Sequence, residues 1–245
     1  MHAACLTVLA VAALAALAGP ALADTFVFRN QHGSTVWIGA LGNAGKPAPN
    51  GGGFAVGPNQ QVTVTTANDW AGRFWARTGC SFSGNTGHCA TGDCGNKLAC
   101  NGAGGVPPVT LAEFTLGNMD YYDVSLVDGY NVGLTIKPQN KAAGGTYNCN
   151  VAGCLNNLNT NCPAALRQTS GGATVACKSA CLAFNTDEYC CRGSHNTPAT
   201  CKPASWPQNY AAYFKNNCRN AYSYAYDDTT STYTCSDTGY IITVG

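Results

Sequence analysis

Only two glutamates occur in the 245-residue chain, and one of them sits where a charge is hard to place. Glu113 stands in Leu111-Ala112-Glu113-Phe114, flanked by apolar residues, so it needs a partner or a cleft. Glu188, beside Asp187 in a cysteine-rich stretch, reads as a solvated surface acid. Asp123 and Asp128, further along the chain, are an odd number of residues apart, which on one straight strand would point them to opposite faces. Asp128-Gly129 is a turn signal, however, and a turn there brings both carboxylates to one sheet rim. Carboxylates paired on one rim suit general acid and base chemistry, in which one holds its proton while the other is ionised. Other nucleophile chemistry is poorly supported. His88 and His195 lie in cysteine-flanked loops and read, like His32, as surface residues, and Gly193-Ser194-His195 is not a nucleophile elbow. Gly51-Gly52-Gly53 is a loop rather than a phosphate cradle, and there is no N-x-[ST] sequon.

The elements that must position these acids are mostly strands. Phe26–Phe28, Thr35–Ile38, Val62–Thr65 and Arg73–Ala76 are short β-prone runs separated by Gly, Pro and Asn. Strands return over Leu111–Ile136, where Asp-Gly between alternating runs predicts a hairpin. Residues 149–218 hold nine cysteines and predict short helices at Pro163–Arg167, Thr174–Phe184 and Gln208–Lys215. The chain ends in another strand, Tyr240–Val244.

The N-terminus has an apolar run from Leu6 to Leu17, a Gly19-Pro20 break and Ala21-Leu22-Ala23 before Asp24. That pattern predicts a secretory signal over residues 1–23, although its start carries only His2 and the terminal amine as positive groups. No later segment approaches spanning length, so no transmembrane segment is expected. With Cys5 in the leader, fourteen cysteines remain in an oxidising compartment, enough for seven disulfides. Their irregular spacing, with Cys190 and Cys191 adjacent, does not fit zinc knuckles, and neither metal nor cofactor is expected. A net charge of +1, with 13 Lys+Arg against 12 Asp+Glu, excludes an electrostatic nucleic-acid footprint.

The segment Gly87–Gly95, reading GHCATGDCG, resembles the signature of thaumatin-like, pathogenesis-related proteins. Supporting matches are Thr35-Val36-Trp37, GRFWARTGC over 72–80, TLAEF over 110–114 and DVSLVDGYN over 123–131. Further on come Cys162-Pro163-Ala164-Ala165, Asp187–Cys191, Ala221–Tyr224 and Asp227-Asp228. The chain departs from the signature at Asn85 and at Asn96-Lys97. The family's N- and C-terminal cysteines are replaced together by His32 and Gly245, which removes one whole bridge.

The resemblance implies a mainly β protein with three parts. They are a β-sandwich over 24–77, 114–155 and 219–245, a small disulfide loop domain over 78–113, and a disulfide-rich helical lobe over 156–218. It implies the pairs Cys80–Cys89, Cys94–Cys100, Cys149–Cys235, Cys154–Cys218, Cys162–Cys177, Cys181–Cys190 and Cys191–Cys201. It also implies a cleft lined by Arg73, Glu113, Asp123, Asp128 and Asp227. Four carboxylates facing one cleft repel, and one cation cannot neutralise them, so at least one should hold its proton unusually tightly. Glu113 as acid and Asp128 as base or nucleophile is the natural assignment, with Arg73, Asp123 and Asp227 tuning them and binding hydroxyls. Tyr122, Tyr130 and Tyr224 are the candidates for stacking on sugar rings.

The expectation is a secreted, monomeric defence protein that binds β-1,3-glucan or fungal wall polysaccharide. The alternatives are a weak endo-β-1,3-glucanase with an acidic optimum, an inhibitor of a foreign hydrolase, and, for the acids alone, a structural ion-pair network around Arg73. Without the terminal bridge, worth roughly 4–5 kcal/mol on a chain-entropy model, the first and last strands are expected to be the softest part of the sandwich.

Overall fold

A computed structural model describes residues 23–236 and 238–245, so the leader expected at 1–23 lies almost wholly outside the described residues. The first strands are β1 (Ala23–Asn30), β2 (Val36–Gly42), β3 (Gly53–Val56), β4 (Gln61–Ala67), β5 (Ala71–Ser83), β6 (Thr86–Thr91) and β7 (Leu111–Thr115). They are followed by β8 (Asp120–Ser125), β9 (Leu134–Pro138), β10 (Ala152–Cys154), β11 (Arg167–Ser170), β12 (Ala173–Cys177), β13 (Tyr233–Cys235) and β14 (Tyr240–Val244). Of the two large sheets, one runs β10-β9-β14-β1-β4 and the other β13-β8-β7-β5-β2-β3, with β6 paired to the far end of β5, and β11 and β12 form a separate two-stranded sheet. The short helices are α1 (Ala180–Phe184), α2 (Asp187–Cys190) and α3 (Tyr210–Asn217). Among the described residues, no helix is long and apolar enough to cross a membrane.

Strand alternation decides what each sheet face carries. Phe26 and Phe28 of β1 and Tyr240, Ile242 and Val244 of β14 point between the sheets and are buried. They meet Phe74, Phe114 and Tyr122 from the other sheet, with ring centroids 5.1 Å apart for Phe26–Phe74 and for Tyr122–Tyr240. The opposite face of β5, β7 and β8 therefore belongs to the odd-numbered residues. Arg73, Glu113, Tyr121 and Asp123 all lie on it.

Three expectations need correction. The turn at Asp128-Gly129 exists, with Gly129 at φ +85° and its N–H donating to Leu126 O, but it joins no hairpin. β8 lies in one sheet and β9 in the other, because the edge of β8 is already filled by β13 and by the backbone of Tyr222. The helix expected over Thr174–Phe184 is a strand up to Cys177, paired with β11, and turns helical only after Ser179, whose side chain caps α1. The first and last strands are not placed to be soft. β1 and β14 pair in parallel near the middle of their sheet and are flanked by β4 and β9.

The seven disulfides of the structure are the pairs that the resemblance implies. The absent terminal bridge leaves room for a replacement. Gln31 N–H donates to Val244 O (2.7 Å), which seats the end of the chain beside the 31–32 segment. A Cβ at Gly245 would meet only Leu155 at 3.5 Å and the Cβ of Gln31 at 3.7 Å, which are ordinary contacts. His32→Cys with Gly245→Cys is expected to form a bridge and add about 1–2 kcal/mol. That is below the chain-entropy figure because measured gains usually fall short of it. A free-thiol count and a melting curve test this, and thiols left free under oxidising conditions would refute it.

Candidate functional site

Backbone register builds the site. β5 pairs with β7 so that Arg73 lies opposite Glu113, and β7 pairs with β8 so that Glu113 lies opposite Asp123. The three charged residues thus form one row across three strands, on the face turned away from the core. Asp128 joins them from the turn after β8. Together with Leu111, Ser125, Val127, Tyr222 and Ala225 they line an open cleft of about 320 Å³.

The acids in this cleft are not held by protein partners. Among the described residues, no hydrogen bond engages the side chains of Glu113, Asp123 or Asp128, and Oδ1 of Asp123 is buried with no partner. Arg73 takes part in none of the ion pairs closer than 4.0 Å among those residues. A structural network would need contact pairs, so that reading loses its support. Burial pushes the Asp123 carboxyl up to about 8, and the Glu113 and Asp228 charges push the same way. Glu113 is also raised by burial, with Arg73 pulling back and Asp128 adding to the rise. Asp128 is raised by burial against the opposing pull of Arg73. Native proteins satisfy nearly all buried polar atoms, so unpartnered acids with raised pKa values around an open cleft make this the candidate binding site.

Asp227 does not belong to this group. Its carboxylate is buried, accepts from Ser223 N–H (3.0 Å), Ser223 Oγ (2.8 Å) and Thr230 Oγ1 (2.7 Å), and pairs with Lys215 Nζ at 2.9 Å. Burial alone would raise its pKa, but these bonds outweigh burial and lower it. It is the clasp of the 223–230 turn. The neighbouring Asp228 is the acid whose charge reaches Asp123, and it accepts a 2.9 Å hydrogen bond from the Tyr222 hydroxyl on the cleft wall.

The tyrosines also need correction. Tyr122 and Tyr130 are 1% and 2% exposed, and their hydroxyls donate to the Asn150 and Asn156 carbonyls, so neither can stack on a ligand. The signal was available in the alternation of β8, because a residue next to the cleft-facing Asp123 must point into the core. Tyr224 is half-buried against the edge of Trp206 and lines a small neighbouring cavity instead of the acidic cleft.

Arg77 shares the face of Arg73, four residues along β5, yet has a different task. It is fully buried, and its guanidinium donates to the carbonyls of Trp37 (3.2 Å), Ile38 (3.1 Å), Lys97 (2.7 Å) and Leu98 (2.7 Å). Gly53 permits this approach, since a Cβ there would lie 1.8 Å from Leu98 O.

The fold and site define a disulfide-laced β-sandwich with an acidic cleft on the outer face of one sheet. The chain belongs to the thaumatin family, whose sequence profile matches residues 30–245. It is 53% identical over 238 residues to the pathogenesis-related thaumatin-like protein 3.5 of Cryptomeria japonica, covering 96% of each chain. It is 54% identical over 227 residues to pathogenesis-related protein 5 of Arabidopsis thaliana, covering 91% of this chain and 90% of that one. A Prunus avium protein named glucan endo-1,3-beta-glucosidase is 45% identical over 224 residues, covering 89% of this chain and 88% of that protein. Among solved structures, a family 64 laminaripentaose-producing β-1,3-glucanase from Paenibacillus barengoltzii shares the fold with a TM-score of 0.56. It is 14% identical and is matched over 90% of this chain and 75% of its own.

Proposed function

We propose that this chain is a secreted defence protein that binds β-1,3-glucan of fungal walls in the acidic cleft. The cleft would lie on the outer face of the sandwich (24–77, 114–155, 219–245), next to the small cavity at Val127 and Ala225 that the disulfide-rich lobe (156–218) helps to line. The observation that carries the reading is the row Arg73-Glu113-Asp123 with Asp128, a set of unpartnered, partly buried hydrogen-bonding groups lining a cleft that opens to solvent. Carboxylates accept bonds from sugar hydroxyls when ionised and donate one when protonated, so raised acids beside ionised ones suit a polyhydroxylated ligand. Seven disulfides fit an oxidising, extracellular setting.

Slow hydrolysis is the second reading. It is favoured by the raised Glu113 and Asp128 and by the name of the Prunus avium relative. Glu113 would then protonate the leaving oxygen while Asp128 acts as base or nucleophile, and the rate would peak on the acid side. Glu113→Gln and Asp128→Asn are each expected to weaken binding of linear β-1,3-glucan about tenfold without unfolding the protein. A polysaccharide pull-down and reducing-sugar release, read side by side, separate binder from enzyme. Binding and turnover unchanged in both variants would sink the cleft reading.

A further inference from the structure

The outer face of β8 continues past the acids. Strand alternation that turns Tyr122 into the core turns Tyr121 outward, onto the face of Asp123, and Tyr121 is 51% exposed. It lies about 7 Å from Asp123 along the strand, at the end away from Asp128. Register places Thr115 of β7 opposite it on one side and Thr234 of β13 on the other. Met119, in the turn just before β8 and two residues before Tyr121, is also exposed. A flat aromatic ring flanked by two threonines, one pleat along β8 from the row of acids, has the makeup of a sugar subsite. The ring covers the apolar C–H face of a pyranose while polar neighbours take its hydroxyls.

We propose that Tyr121 is a stacking platform for a further sugar ring. A glucan chain would lie along β8, from Asp128 past Ser125 and Asp123 to Tyr121. This rests on the glucan-binding reading and deepens it, because it makes the ligand an extended chain rather than a mono- or disaccharide. An isolated exposed tyrosine would carry no such meaning. What distinguishes Tyr121 is its place on the same face as the acids and on the strand of Asp123, one pleat beyond the cleft.

The test is titration of linear β-1,3-linked gluco-oligosaccharides, from the disaccharide to the hexasaccharide, into wild type, Tyr121→Ala, Tyr121→Phe and Glu113→Gln. Wild type should gain affinity with chain length. Tyr121→Ala should lose about tenfold on the hexasaccharide and nothing on the disaccharide, while Tyr121→Phe keeps the full gain. An unchanged melting curve shows that the exposed side chain has no structural role. If Glu113→Gln weakens binding but Tyr121→Ala binds the hexasaccharide like wild type, the platform is refuted and the cleft reading stands. If wild type binds no oligosaccharide of any length, both fall.

Discussion

Arg77→Ala is expected to destabilise the protein by about 3–5 kcal/mol, because it removes the one charged donor group that satisfies four carbonyls at once. The guanidinium makes four hydrogen bonds to carbonyls, two on β2 and two in the loop at 97–98, and a further contact to Cys94 Sγ at 3.2 Å. Among the described residues, no carboxylate forms an ion pair with it. Burial lowers its pKa to about 10, with Asp93 pushing the other way, so it stays charged at neutral pH. Truncation would strand four partly or fully buried acceptors, each costing up to about 1–3 kcal/mol if neither water nor another donor replaces the guanidinium. Cys80–Cys89 and Cys94–Cys100 would still tie the loops covalently, so the loss should appear as a looser 94–100 segment as well as a lower melting point. Arg77→Lys should recover only part of the stability, because one ammonium cannot span four carbonyls arranged for a planar fork. Denaturant unfolding with limited proteolysis checks this. A loss below about 1 kcal/mol for Arg77→Ala would show that the carbonyls find other donors.

Arg73 and Arg77 also show where sequence reading stops. Both stand in GRFWARTGC, four residues apart, and alternation puts them on one face. Nothing local says that one side chain opens onto a cleft while the other is covered by a loop some twenty residues away. The strands, the cysteine partners and the cleft row were legible, because hydrophobic alternation and a strong family resemblance fix them. Asp227 and Asp228 were not separable. They are adjacent in an irregular turn, and the choice between them is made by Ser223, Thr230 and Lys215, which claim Asp227. The Asp128-Gly129 turn was read correctly and its strands wrongly, since a local turn signal does not say which sheet the next strand joins. Tyr121 needed no structure at all: alternation about Asp123 selects it over Tyr122.

Stability should fall as pH rises from about 4 to about 8, and Asp123→Asn should abolish much of that fall. The Asp123 carboxyl has an ordinary value of 3.8 in the unfolded chain and about 8 in the folded one. The folded state thus binds this proton more tightly. Its contribution is fully present below about pH 4 and is lost progressively as pH climbs through the folded value. At pH 7 the fold keeps a proton that the unfolded chain would release, next to Glu113 and Asp228 and with Oδ1 unpartnered. Asn keeps the shape and removes the titration. The variant should therefore be more stable than wild type at pH 7 by roughly 1–3 kcal/mol, after allowing for relaxation of a site open to the cleft, and equal to it near pH 4. Melting temperatures across that range decide the matter, and parallel curves would mean that Asp123 ionises freely in the fold. The glucan titration of the same variant then carries the functional meaning. A substitution that stabilises the fold while weakening the ligand is the signature of an acid retained for binding at a cost to the scaffold.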